Sequence, residues 1–178
     1  MRYLFLLLIF SNNLVLAQQY ISKKGSVHFF SEAPMENIEA ENNTVAGIID
    51  VASGEFAFRV KIVDFNFAKF LMQEHFNENY MESERYPFAT FTGFMTDFQD
   101  LDFSNKQVVQ VKGQMTMHGV NQSINVVASV WMQDEELHLF SKFVVKLADY
   151  QIDIPKIVMY NIAEEVVVTI QMQLSKDN

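Results

Sequence analysis

"VVQVKGQMTMHGVNQSINVVASVWM", Val108 to Met132, decides the fold. Val109, Val111, Met115 and Met117 alternate with Gln110, Lys112, Gln114 and Thr116. After His118-Gly119 the pattern resumes with Ile124, Val126, Ala128, Val130 and Met132. A period of two on both sides of a two-residue link reads as a β-hairpin with one apolar and one wet face. Gly119 suits the link because it takes positive φ without steric cost.

The same period extends in both directions. "EFAFRVKIV" sets Phe56, Phe58, Val60 and Ile62 against Glu55, Arg59 and Lys61. "LHLFSKFVVKL" sets Leu137, Leu139, Phe143, Val145 and Leu147 on one face, and "EEVVVTIQMQL" does so with Val166, Val168, Ile170, Met172 and Leu174. With "SVHFFS", "NIEAENNTVAGIIDV" and "FATFTGFMTDF" the chain reads as eight strands. Their links are short: Ala52-Ser53-Gly54, the segment from Asp100 to Asn105, His118-Gly119, and Gln133-Asp134-Glu135. Only Asn66 to Tyr86 breaks the rhythm. There "FAKFLMQEHF" puts Phe67, Phe70, Leu71 and Glu74 on one helical face, so a short helix is expected between strands three and four.

Long amphipathic strands expose costly edges unless their sheet closes. The expected fold is therefore all-β, an extended eight-stranded antiparallel barrel whose interior holds side chains or one small ligand. A β-sandwich is the competing architecture, but strands of about ten residues exceed its usual five or six. A porin-like barrel would turn an apolar band to lipid. Here Arg59, Lys61, Lys112, Lys142 and Lys146 are scattered along the outward face, which favours a barrel in water.

The N-terminus reads as a signal peptide over residues 1–17. Arg2 is followed by an apolar run, and Val15-Leu16-Ala17 supplies small residues before the expected cut after Ala17. The uninterrupted run Tyr3 to Phe10 is shorter than the roughly 20 residues of a membrane span. The mature domain, residues 18–178, is then expected in the periplasm or secreted, with no integral membrane span. It has no cysteine, so burial alone must hold it. The composition allows that, at 49% hydrophobic with 17 Phe. Loss of Arg2 takes the formal charge from −9 to −10. So acidic a chain, without a basic cluster, argues against nucleic acid and anionic membrane surfaces as partners. A homodimer is left open.

Chemistry is sparsely signalled. The four histidines, His28, His75, His118 and His138, include no pair at metal-ligand spacing, and no phosphate-cradling glycine loop or nucleophile elbow appears. No cofactor or metal is expected, and no catalytic residue is assigned. The alternative reading is a barrel enzyme, a hydrolase or isomerase, using His75 or His118. The inward face is apolar and rich in methionine, whose thioether side chains repack around varied ligands. The candidate lumen residues are Phe56, Phe58, Phe70, Leu71, Phe76, Val111, Met115, Met117, Met132, Phe143 and Met172. His75, Asn79 and His118 are candidates for a polar rim.

Several segments together resemble a known family. "EHFNENYMESERYPFATFTG" is similar to the helix, charged turn, Tyr-Pro pair and "ATF" strand of YceI-like proteins. "VKGQMTMHGVNQSINV" resembles their "G-x-L-T-(I/M)-H-G-V-x-x-x-(I/V)" hairpin, with Met115 replacing the usual leucine. "GEFAFRVKIVDFNF" and "DYQIDIP" also fit. Where family members often carry Arg-Asp near the start of the helix, this chain has Ala68-Lys69. The resemblance implies a lipocalin-like eight-stranded barrel holding an isoprenoid or fatty chain in its lumen, exported to the bacterial periplasm, with no shared catalytic set.

Overall fold

Residue by residue, the alternation becomes a closed wall in the computed structural model, which describes residues 19–32, 36–154 and 163–177. The expected leader lies outside the described residues. Ten strands run antiparallel: β1 (Gln19–Ser31), β2 (Ile38–Asn42), β3 (Ala46–Asp50), β4 (Glu55–Lys61), β5 (Asn66–Phe67), β6 (Phe88–Met95), β7 (Gln107–Met117), β8 (Val120–Gln133), β9 (Glu136–Lys146) and β10 (Glu165–Lys176). Strands β3, β4, β6, β7, β8, β9 and β10 are neighbours in that order, and β1 pairs with both β10 and β3, so eight strands close the barrel. Closure leaves no free edge around this ring, which is what long amphipathic strands require.

The two additional strands come from bends. The expected second strand divides into β2, which pairs with the far half of β1 (Val27↔Asn42 to Ser31↔Ile38), and β3, which pairs with its beginning. The partner strand bends with it: a 3-10 turn at Ile62–Asp64 separates β4, paired with β3, from β5, paired with β2. Buried Asn42 staples the two bends. Its Nδ2 donates to the Lys61 carbonyl at 2.8 Å, and its Oδ1 accepts from the Thr44 N–H at 2.8 Å. The Thr44 hydroxyl lies 2.9 Å from Asp64 Oδ2.

β1 also begins earlier than the alternation at Ser26 indicated. Its register shifts between Ser22 and Lys24, a bulge that reverses the phase. Tyr20 before the bulge and Val27 after it are thus both buried, although they are an odd number of residues apart.

One barrel end is filled. Tyr20, Ile49, Phe98, Val130, Leu137 and Leu174 are buried there. Phe98 sits on a 3-10 turn against Phe103, ring centroids 5.0 Å apart. At the other end, α1 (Phe70–His75) runs on into a π-helical turn, Phe76–Tyr80, between β5 and β6. The expected helical face is corrected here. Phe67 belongs to β5, and Phe70 and Leu71 are 82% and 60% exposed. The helix has only six residues, and its first turn turns these two side chains to solvent, whereas Met72 and Phe76, four apart, are partly buried.

Candidate functional site

Below α1 the barrel holds a cavity of about 710 Å³. One wall is aromatic: Phe29 of β1, Phe65, Phe67 of β5 and Phe76 of the π-turn. Phe29 stacks on Phe76 with centroids 5.6 Å apart, and Phe67 meets Phe76 at 5.0 Å. These contacts fasten the helical cover to the barrel wall. Phe58, Phe91 and Met115 line the cavity from β4, β6 and β7. The Phe58 ring lies where a side chain at Gly47 would stand, so glycine is needed opposite it. Phe143 and Val145 of β9 and Val166, Val168 and Ile170 of β10 also line the cavity.

Polar groups are few. Lys69 and Glu36 form an ion pair in the lining, to which exposed His75 also belongs. Ser31 Oγ accepts from the Ala163 N–H at 3.2 Å. Burial raises the Tyr80 phenol above its ordinary value of 10.0. It therefore stays neutral and adds no charge to the lining. Among the described residues no group of three or more His, Asp or Glu is placed to hold a metal ion.

The sequence candidates separate by height in the barrel. Phe58, Leu71, Phe76, Met115, Met117 and Phe143 line the cavity, and so does His75. The others do not. Phe56 packs behind Phe58 and Phe91, at 5.1 and 4.9 Å. Val111 is buried beside Met95 and Val126, below the cavity. Met132 packs against the core next to the Phe103 segment, whose carbonyl accepts its N–H. Met172 is buried because its thioether fills the space left by Gly25 and Gly47. Phe70 and Asn79 face solvent.

His118 is a rim residue of a different kind. It occupies the β7–β8 turn with φ 52, followed by Gly119 at φ 74. Its Nδ1 lies 3.0 Å from the Tyr150 carbonyl and its Nε2 3.2 Å from Glu82 Oε1. Both partners are acceptors, and each ring nitrogen lies within hydrogen-bond distance of one of them. Tyr86 meets the imidazole edge-on at 4.8 Å and covers Gly119, where any Cβ would strike its ring. His118 thus ties the segment after the helical cover to the barrel and does not reach the cavity. "ERYPF" and "MTMHG", adjacent in the sequence pattern only as separate motifs, form one latch.

Sequence reasoning missed Phe29, Phe65 and Met81 of the lining, and placed Phe67 on the wrong element. Phe29 alternates within "SVHFFS" and was legible as inward. Phe65 and Met81 sit in irregular segments that no period reports.

The YceI-like domain model matches residues 20–174. The chain belongs to the YceI-like family. Solved structures agree in fold. A polyisoprenoid-binding domain from Saccharophagus degradans, implicated in plant cell wall breakdown, superposes with TM-score 0.78 at 16% identity, over 90% of this chain and 99% of that one. Burkholderia cenocepacia BcnA gives TM-score 0.71 at 14% identity, over 84% and 95%. A Campylobacter jejuni YceI protein gives 0.55 at 14%, over 99% and 92%. No curated protein matches. In this YceI-like chain the helical cover and every cavity-lining residue are within the matched span, which the first and last barrel strands overrun by one and two residues.

Proposed function

We propose that this YceI-like protein holds one long apolar lipid, an isoprenoid or fatty chain, in the cavity beneath α1, for carriage or storage and without chemical turnover. The cavity itself carries the reading: about 710 Å³ walled mostly by Phe, Val, Ile, Leu and Met. That is within the usual range for small-molecule sites, roughly 300–1,000 Å³. At about 30 Å³ per water-sized group, it accepts on the order of twenty chain carbons. Each buried methylene gains about 0.8 kcal/mol, so ten of them give about 8 kcal/mol before the cost of association is subtracted. The solved polyisoprenoid-binding domain of the same fold supports the choice of ligand class.

Residues 1–17 then serve as an export signal, removed after Ala17, and the barrel works in the periplasm or as a secreted protein. The enzyme alternative fares less well on geometry, because His118 has both nitrogens engaged by Tyr150 and Glu82. Native mass spectrometry of protein purified from its own host, before and after organic extraction, tests the proposal. An extractable mass of a few hundred daltons is expected. Protein of bare polypeptide mass that also fails to take up alkyl-chain ligands would overturn it, and turnover lost in His75→Ala would establish the enzyme instead.

A further inference from the structure

The most exposed large hydrophobic side chain among the described residues is Phe70, at 82%. It opens α1, next to Leu71, which is 60% exposed and at the same time lines the cavity. Met72, His75 and Phe76 continue the lining from the same helix. The apolar surface therefore runs without interruption from bulk solvent, over Leu71, into the barrel. Val63 and Phe88, 47% and 41% exposed, lie at the same barrel end, where the Ile62 N–H donates to the Pro87 carbonyl.

A chain-like ligand has no comfortable route through water. Each methylene prefers an apolar phase about fourfold, so ten of them give a preference on the order of 10⁶-fold. Its source and destination must be apolar phases touching the mouth. We propose that Phe70 and Leu71 are the point at which this protein contacts a lipid bilayer, inserting into the interface while the ligand passes beside Leu71; this rests on the lipid reading above. A second copy of the chain suits the patch less well. A stable protein interface buries roughly 1,200–2,000 Å² in total, and two apolar side chains of up to about 250 Å² each fall short of that.

The chemistry of the surroundings specifies the kind of bilayer. Lys69, beside Phe70, is paired with Glu36, and Glu74 and Glu78 are exposed farther along the helical cover. Among the described residues the helical cover from Lys69 to Tyr80 thus offers no unpaired Lys or Arg to anionic headgroups, and the contact depends on apolar insertion. Binding should not increase when an anionic lipid is added.

The test uses the mature chain and Phe70→Ser, which leaves every cavity-lining residue in place. Three readouts are compared: co-flotation with phosphatidylcholine vesicles, with and without phosphatidylglycerol; the rate at which a pyrene-labelled C16 fatty acid moves from vesicles to protein; and equilibrium uptake of the same probe without vesicles. The parent should float with phosphatidylcholine vesicles, and phosphatidylglycerol should not improve it. Phe70→Ser should lose flotation and slow transfer at least tenfold, with equilibrium uptake and melting temperature unchanged. Equal flotation and equal transfer rates in the two proteins would overturn the contact. So would a concentration-dependent dimer of the parent that Phe70→Ser dissolves. If the parent takes up no probe at equilibrium, the lipid reading fails, and flotation then decides the bilayer contact alone.

Discussion

Met115 and Met172 stand in identical phase on inward faces, and the barrel gives them different tasks. Met115 lines the cavity, whereas Met172 fills the hollow over Gly25 and Gly47 beneath it. Met115→Trp should fold, with its ring occupying the cavity, and should lose bound lipid in native mass spectrometry. Met172→Trp has no room to expand. Overpacking should cost about 1–3 kcal/mol, seen as a lower urea midpoint at unchanged slope. Tyr150 makes a second contrast at this scale. It is buried, and its hydroxyl has no hydrogen-bond partner among the described residues. Burial, and then the nearby Asp149 carboxylate, pushes its phenol up to about 12 from 10.0. The folded state thus retains a proton that the unfolded state releases between about pH 10 and pH 12. Stability is full below that window and falls as pH rises through it. Tyr150→Phe should leave the neutral-pH melting temperature nearly unchanged and move the midpoint of alkaline unfolding upward.

Among the elements, the helical cover is held from two sides by different physics. Its π-turn is packed into the barrel through Phe76 against Phe29, Phe65 and Phe67. The segment that follows is held by directional bonds, with Glu82 at φ 42 and His118 at φ 52 brought together across the rim. His118→Ala removes both bonds and leaves the largely buried Tyr150 carbonyl without its imidazole partner. A loss of about 1–3 kcal/mol is expected, with faster amide exchange between Phe76 and Tyr86. His75→Ala, on the exposed side of α1, should stay within about 0.5 kcal/mol of the parent. Equal costs at the two histidines would mean that the latch adds nothing.

At the scale of the whole molecule, the barrel is a sheet with one covered face. Val111 is buried while neighbouring Lys112 is exposed, and the contrast recurs on every long strand. Val111→Asp places an unpaired carboxylate in the filled half and should cost several kcal/mol. Lys112→Asp should change stability by about 0.5 kcal/mol or less. Comparable losses at both positions, measured by thermal melts, would mean that both faces of β7 are covered.

The alternation in "VVQVKGQMTMHGVNQSINV" and its counterparts determined by itself which side of each strand faces inward, because side chains on a strand have a period of two. It favoured closure over a sandwich, since closing the sheet removes the edges of strands so long and so evenly two-faced, and the pairing of β1 with both β10 and β3 decided it. The helix within Phe70 to Tyr80 was legible because the period is lost there. The height of a residue in the barrel was not legible, because Val111 and Met115 have the same phase four positions apart. The tertiary structure decided which of them meets the cavity, through the register of β6, β7 and β8. It also decided the aromatic wall and the His118 latch. Phe29 reaches Phe67 through the pairing of β1 with β2 and of β2 with β5, and His118 lies 32 and 36 residues from Tyr150 and Glu82, distances along the chain that no local pattern reports.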